Sequence, residues 1–248
     1  MNKSDVLATL KQVKENSQKR NFKQSVDLII NLKDLDLKKN ENQVDIFVAL
    51  HYGFGKTPKI CGLVGPELLE SAKKELDYTV TTDDFKSYKE PKAIKKLANG
   101  YDLFIAQANI MPQVAGAFGK VLGPRGKMPN PKAGCVVPPN ANLAALKERF
   151  RKVVRVSAKK DPIIQVMVGK EDQNNEEITD NIITIYNQLI HALPNEKNNI
   201  KSMYLKLTMG KPVALGEKEE KAEDERRPKK KKAAEKKEAA TDNKEETG

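Results

Sequence analysis

Val6, Leu10 and Val13, with Leu7 beside them, recur at the three-to-four spacing of one helix face, and Ser4 stands where an N-cap belongs. A polar, basic run at 17–20 ends that stretch. The period then changes to two. Val26, Leu28, Ile30 and Leu32 alternate with Ser25, Asp27, Ile29 and Asn31, which predicts a strand with one buried face. Val44, Ile46, Val48 and Leu50 predict a second, and the polar loop 34–42 between them suits an antiparallel pair.

From residue 59 short apolar runs alternate with helical patterns: a strand at 60–64, a helix at 67–75 opened by Pro66, a strand at 78–81 and a helix at 92–99. Residues 101–106, Tyr-Asp-Leu-Phe-Ile-Ala, predict a strand buried on both faces. Repeated strand–helix–strand units call for a parallel sheet in a three-layer α/β module, closed by a helix at about 142–150. A strand at 163–168 follows it. Ile178, Ile182, Ile185 and Leu189 mark one buried face of the next helix, which Pro194 stops. A last alternating strand runs over 200–208, before a Gly-Lys-Pro turn at 210–212.

Neither 1–57 nor 156–216 is large enough to bury a comfortable core alone. The economical arrangement is therefore an α/β protein of two domains. One is a split α/β domain built from both chain ends (1–57 and 156–216), and the other is an inserted three-layer, Rossmann-like domain (58–155). Residues 217–248 lack any aromatic or branched aliphatic residue and are expected to be a disordered charged tail.

Charge changes the picture next. The 248 residues carry 45 Lys and Arg against 34 Asp and Glu, a formal +11. The tail holds 11 of each sign, so the whole excess belongs to the part that folds. Such a surplus favours a polyanionic partner. Two cysteines without a Cys-x-x-Cys partner argue against a disulfide framework or zinc knuckle. The opening residues lead into an amphipathic pattern, and no stretch approaches the ~20 apolar residues of a membrane span. A reducing, cytoplasmic setting is expected, without a membrane.

Catalytic motifs do not assemble. Gly53-Phe54-Gly55-Lys56-Thr57 invites a phosphate-loop reading, but the register fails at Leu50 and Pro58, where that loop and its dinucleotide-binding counterpart need glycine. His51 and His191 are the only histidines and lie far apart in sequence. The acidic pairs 83–84 and 176–177 read as helix starts. No catalytic residue, metal ligand, cofactor or small-molecule substrate is expected.

Two segments carry binding chemistry instead. In 120–134, Lys-Val-Leu-Gly-Pro-Arg-Gly-Lys-Met-Pro-Asn-Pro-Lys-Ala-Gly, prolines and glycines constrain a path along which Lys120, Arg125, Lys127 and Lys132 stand. It reads either as a rigid basic loop or as a solvated connector. At the end of the last strand, Thr208 offers a hydroxyl, Met209 a flexible apolar surface, Gly210 close backbone approach, and Lys206 and Lys211 phosphate-attracting charge. Phe22 and Ser25 add an aromatic face and a hydroxyl at the first strand. Together with a basic body, these suit RNA.

Residues 123–134, the Leu-Thr-Met-Gly of 207–210 and the Asn-Phe-Lys-Gln-Ser-Val of 21–26 make the chain resemble the large-subunit ribosomal protein one family, the mobile-stalk protein beside the tRNA exit site. Phe104-Ile105-Ala106-Gln107-Ala108 and Gly126-Lys127-Met128-Pro129 give it the archaeal form. The resemblance covers about residues 1–215. It implies a split domain that grips an rRNA stalk, with contacts at Phe22, Ser25 and Asp27 near the first strand and at Ser202, Thr208, Met209 and Gly210 near the last. It also implies a part in releasing deacylated tRNA, and translational repression through the protein's own mRNA. The competing readings are a nucleotide-binding α/β enzyme and a general nucleic-acid-binding protein outside the ribosome.

Overall fold

The computed structural model describes residues 1–39, 42–88 and 90–215. The tail expected at 217–248 lies outside them. Helix α1 (Lys3–Glu15) precedes strands β1 (Ser25–Leu32) and β2 (Val44–Ala49). Then come β3 (Ile60–Val64), α2 (Leu69–Glu75), β4 (Tyr78–Thr81), α3 (Pro91–Gly100), β5 (Leu103–Gln107), α4 (Met111–Leu122), β6 (Val136–Val137) and α5 (Leu143–Phe150). The last described elements are β7 (Val153–Ala158), β8 (Ile163–Lys170), α6 (Asn175–Ala192), β9 (Ile200–Leu207) and β10 (Val213–Ala214).

Three sheets organise these elements: antiparallel β10-β9-β1-β8, the two-stranded antiparallel ribbon β2-β7, and parallel β4-β3-β5-β6. The first core gathers both chain ends. Val6, Leu10 and Val13 of α1 meet Leu28 and Ile30 of β1, Val48 of β2, Val166 of β8, the Ile178–Ile182–Ile185–Leu189 stripe of α6, and Leu205 and Leu207 of β9. Two further cores flank the parallel sheet. Cys61, Leu63, Phe104 and Ala106 face α3 and α4 on one side, while Ile60, Val64 and Ile105 face α2 and α5 on the other. Alternation along a strand puts successive side chains on opposite faces, so two covered faces produce the unbroken apolar runs of β3 and β5.

The expected hairpin of the first two strands is not formed. β1 lies between β8 and β9, and β2 pairs with β7, Val48 opposite Val154. An alternating pattern states which face is buried but not which strand lies alongside. Here Leu32 N–H donates to Pro162 (2.8 Å) and Lys33 N–H to Asn199 (2.8 Å), and Asp34 turns the chain out of the sheet at φ 56°. Ser4 does not cap α1. Asn2 holds that position without a side-chain bond, and Ser4 sits inside the first turn.

Helix α4 is not among the elements predicted from the sequence. Val114, Phe118 and Leu122 at four-residue spacing carry its buried face, with Phe85 set edge-on to Phe118 at 5.2 Å. Strand β7 was also missed. Arg155 lies in its middle, opposite Phe47.

Candidate nucleic-acid interface

The two ends of the chain are knitted together where β1 begins and β9 stops. Thr208 N–H donates to the Ser25 carbonyl (3.0 Å), and Ser25 N–H donates to the Thr208 hydroxyl (3.0 Å), which donates back to the same carbonyl (3.2 Å). The hydroxyl expected to face a ligand is therefore largely committed to the partner strand, with one lone pair to spare. Gly210 N–H closes the turn onto Leu207 (2.8 Å). This leaves Met209 at its tip, 61% exposed.

Gln24 was not singled out from the sequence. It holds the turn from beneath, its Oε1 accepting from Met209 N–H (3.2 Å) and its Nε2 donating to Ser17 (3.2 Å) and Gln18 (3.4 Å). The signal was there: position 24 has the inward parity of Val26 and Leu28, and a polar side chain at a buried position must find partners. Phe22, 54% exposed, lines an open concavity of about 420 Å³ with Arg20, Asn21, Lys23, Glu171 and Asp172. Lys23 and Asp172 close an ion pair at 2.6 Å on its wall.

The other named residues spread along one face of the antiparallel sheet. Asp27 lies opposite Lys206, and Asn31 opposite Ser202, whose hydroxyl accepts from the Asn31 amide (2.9 Å). Burial lifts the Asp27 carboxyl above its usual range, and Lys206 opposes that shift. At the 3.3 Å rise of a strand, Ser202 stands roughly 20 Å from Thr208 along β9. The eight residues thus comprise an exposed turn, an exposed aromatic on the segment that leads into β1, and a sheet face trailing away.

The loop at 123–134 is fixed to the parallel module, as a rigid basic loop would be and a solvated connector would not. Lys127 donates to the Ala98 (2.8 Å) and Tyr101 (2.7 Å) carbonyls at the end of α3, and Arg125 bonds Asn99. Ala133 is buried in the third core, and residues 131–133 pack beside β2. Lys120, Arg125 and Lys132 are exposed. The turn before the parallel sheet is fixed from two sides. Tyr52 N–H donates to Asn181 (3.2 Å) and the Gly53 carbonyl accepts from Gln173 (2.7 Å), while Lys56 pairs with Asp102 (2.9 Å). Gly55, at φ 77°, is the crossing point between these anchorages, in a conformation side chains disfavour.

A doubly wound sheet binds nucleotides where strand order reverses, at the carboxyl ends. That point here lies between β3 and β5, and a side chain fills it. Gln107 is buried, its Oε1 accepting from Gly65 N–H (2.9 Å) and its Nε2 donating to Glu67 (2.8 Å). A Cβ on Gly65 would lie 2.9 Å from that oxygen. The backbone donor that a phosphate would need is already taken, and a carboxylate stands behind it. Cys61 and Cys135 are buried, with burial pushing the Cys61 thiol up to about 12. Among the described residues no group of acidic, histidine or cysteine side chains could hold a metal, and no helix is long and apolar enough to cross a membrane.

The family model described as "Ribosomal protein L1p/L10e family" matches residues 11–211. The chain belongs to that family. Its L1p/L10e match encloses all eight residues from Phe22 to Gly210 and stops short of 217–248. Relatives named large ribosomal subunit protein uL1 share 41% identity over 216 residues in Methanothermococcus thermolithotrophicus, covering 87% of this chain and 99% of that protein. In Methanobrevibacter smithii the figures are 43% over 208 residues, 83% and 96%, and in Nanoarchaeum equitans 42% over 213, 84% and 99%. These L1p/L10e relatives are archaeal and are matched over nearly their whole length.

Proposed function

We propose that this chain is a non-enzymatic, cytoplasmic protein of the large ribosomal subunit that binds a folded rRNA stalk through the surface around the 208–210 turn. The observation that carries the reading is the bonding of Ser25 to Thr208 and of Gln24 to Met209, which anchors the turn bearing the exposed Met209 to the segment that follows the exposed Phe22 on a basic protein. Phe22, Ser25, Asp27, Ser202, Thr208, Met209 and Gly210 supply fit, and Lys206 supplies counterion release. Family membership supports the ribosomal assignment.

In this reading the stalk also helps deacylated tRNA leave the exit site, and an rRNA-like site in the protein's own mRNA allows self-repression. The core built from both chain ends is the rRNA-gripping domain, and residues 58–150, rather than the expected 58–155, are the inserted domain, because Val153–Ala158 pair with β2; it moves about two joints. The outgoing joint is at Gly55–Lys56. The return joint is at 151–152, ahead of β7, because Leu50 N–H already bonds Lys152 (2.8 Å) and Phe150 belongs to the third core.

The test is binding of the full chain to a folded stalk fragment of large-subunit rRNA at fixed salt. Met209→Asp adds repulsion and removes apolar contact, and should weaken binding at least tenfold with the fold intact. Wild-type affinity in that variant would overturn the assigned surface. Equal affinity for unrelated duplex would favour a general nucleic-acid binder instead.

A further inference from the structure

The antiparallel sheet buries one face and, among the described residues, leaves the other uncovered. Leu28, Ile30, Val166, Val168, Leu205 and Leu207 point into the first core, whereas Ile29, Met167 and Tyr204 belong to none of the three cores. The strand registers place these outer residues in rows. Met167, Asp27 and Lys206 form one; Gln165, Ile29, Tyr204 and Ala214 the next; Ile163, Asn31 and Ser202 the last. Ile163 is 43% exposed and Gln165 is exposed.

Ile29 and Tyr204 thus lie side by side in the middle row, between the polar pairs Asp27–Lys206 and Asn31–Ser202. We propose that this middle row is a stacking platform, on which Tyr204 and Ile29 take an unpaired nucleoside of the same RNA that grips the 208–210 turn. The inference rests on the proposed function. An RNA that reaches both Thr208 and Ser202 must cross the Tyr204 row, because the rows are successive along β9.

The neighbouring chemistry selects the part of the RNA that fits. Ile29 and the Tyr204 ring offer apolar surface, with the Tyr204 hydroxyl as a polar handle at its edge, and a base presents a π-face whatever its sequence. Asp27 accepts hydrogen bonds and repels phosphate when ionised, so its neighbour is a donor such as a ribose 2′-hydroxyl or a base amino group. Lys206, directly across, is left for the backbone on either side. Continuity with the turn and the net positive charge favour RNA as occupant over protein. The segment 217–248 offers the row no aromatic or branched aliphatic side chain.

The chain contains no tryptophan, so Tyr204→Trp installs a single reporter while keeping an aromatic face. With the folded stalk fragment as probe, that variant should bind within about threefold of wild type and its emission should be quenched at saturation. Tyr204→Ala should lose about 5- to 100-fold in affinity with an unchanged salt slope, and Tyr204→Phe should restore it. Tyr204→Ala binding like wild type while Met209→Asp weakens would overturn the platform alone. Wild-type binding by Met209→Asp would overturn the proposed function itself. Unquenched emission, or a dimer without RNA whose contacts hide the reporter, would overturn the platform even if Tyr204→Ala were weak.

Discussion

Arg155 grips Asp45 with two prongs, Nε to one carboxylate oxygen at 2.8 Å and Nη2 to the other at 2.9 Å. The pair joins β7 to β2 within the ribbon, and Lys159 adds a third cation contact at 2.8 Å. The same guanidinium reaches across to the Gly126 carbonyl at 3.2 Å and lies 5.6 Å from the Phe47 ring, which packs on the third core. One side chain thus ties the ribbon to the loop beside the parallel sheet.

That pairing sets an acid response. The Arg155 bond holds the Asp45 carboxyl down at about 2 against an ordinary 3.8. A depressed carboxylate stabilises the fold above its unfolded value and loses that contribution as pH falls through the folded one. Roughly 2 kcal/mol should therefore disappear between about pH 4 and pH 2. Asp45→Asn should forfeit it already at neutral pH and flatten the curve in that window. Urea denaturation at a series of pH values checks both, and an equally steep acid response in the variant would refute the assignment.

Arg155→Gln removes the charged link to Gly126 while leaving Lys159 on Asp45. If residues 58–150 move as proposed, the variant should broaden the distance distribution between dyes placed by Lys11→Cys and Lys96→Cys, read by single-molecule energy transfer. The two native thiols are buried and should stay unlabelled. A distribution identical to wild type would show that Arg155 is no latch.

Gln107→Ala leaves the Gly65 N–H buried without its acceptor, which should cost about 1–3 kcal/mol. Gly65→Ala should cost a similar amount, since the new methyl meets the Gln107 amide oxygen. Denaturant midpoints measure these losses. The wild type should gain no thermal stability from added ATP or NAD, and a clear upward shift would restore the nucleotide-binding alternative.

Gln24 is not itself assigned to RNA contact, but Gln24→Leu removes the support beneath Met209. Stability should fall by about 1–3 kcal/mol. Affinity for the stalk fragment should drop severalfold at temperatures where the variant is fully folded, chiefly through faster dissociation. Unchanged dissociation would mean that the turn is rigid without Gln24.

Periodicity made most single elements legible. The α1 and α6 stripes, the inward residues of β1 and β9 and the doubly buried runs of β3 and β5 all lie where apolar spacing put them. The candidate turn was legible too, since Thr208, Met209 and Gly210 form an unusual cluster beside a strand end. Roles were less so: Lys127 and Thr208 look like free chemistry in a linear chain but are used internally, on the α3 carbonyls and on Ser25.

The amino-acid order by itself determined which faces are apolar, where the positive charge lies and which short motifs stand out, because these are local properties of neighbouring residues. Only the tertiary structure decided that β1 sits between β8 and β9, that Gln24 reaches Met209 and that Gln107 fills the crevice beside Gly65. Each of those joins groups between 42 and 185 positions apart, and which distant partner wins depends on the packing of the whole chain rather than on any window of sequence.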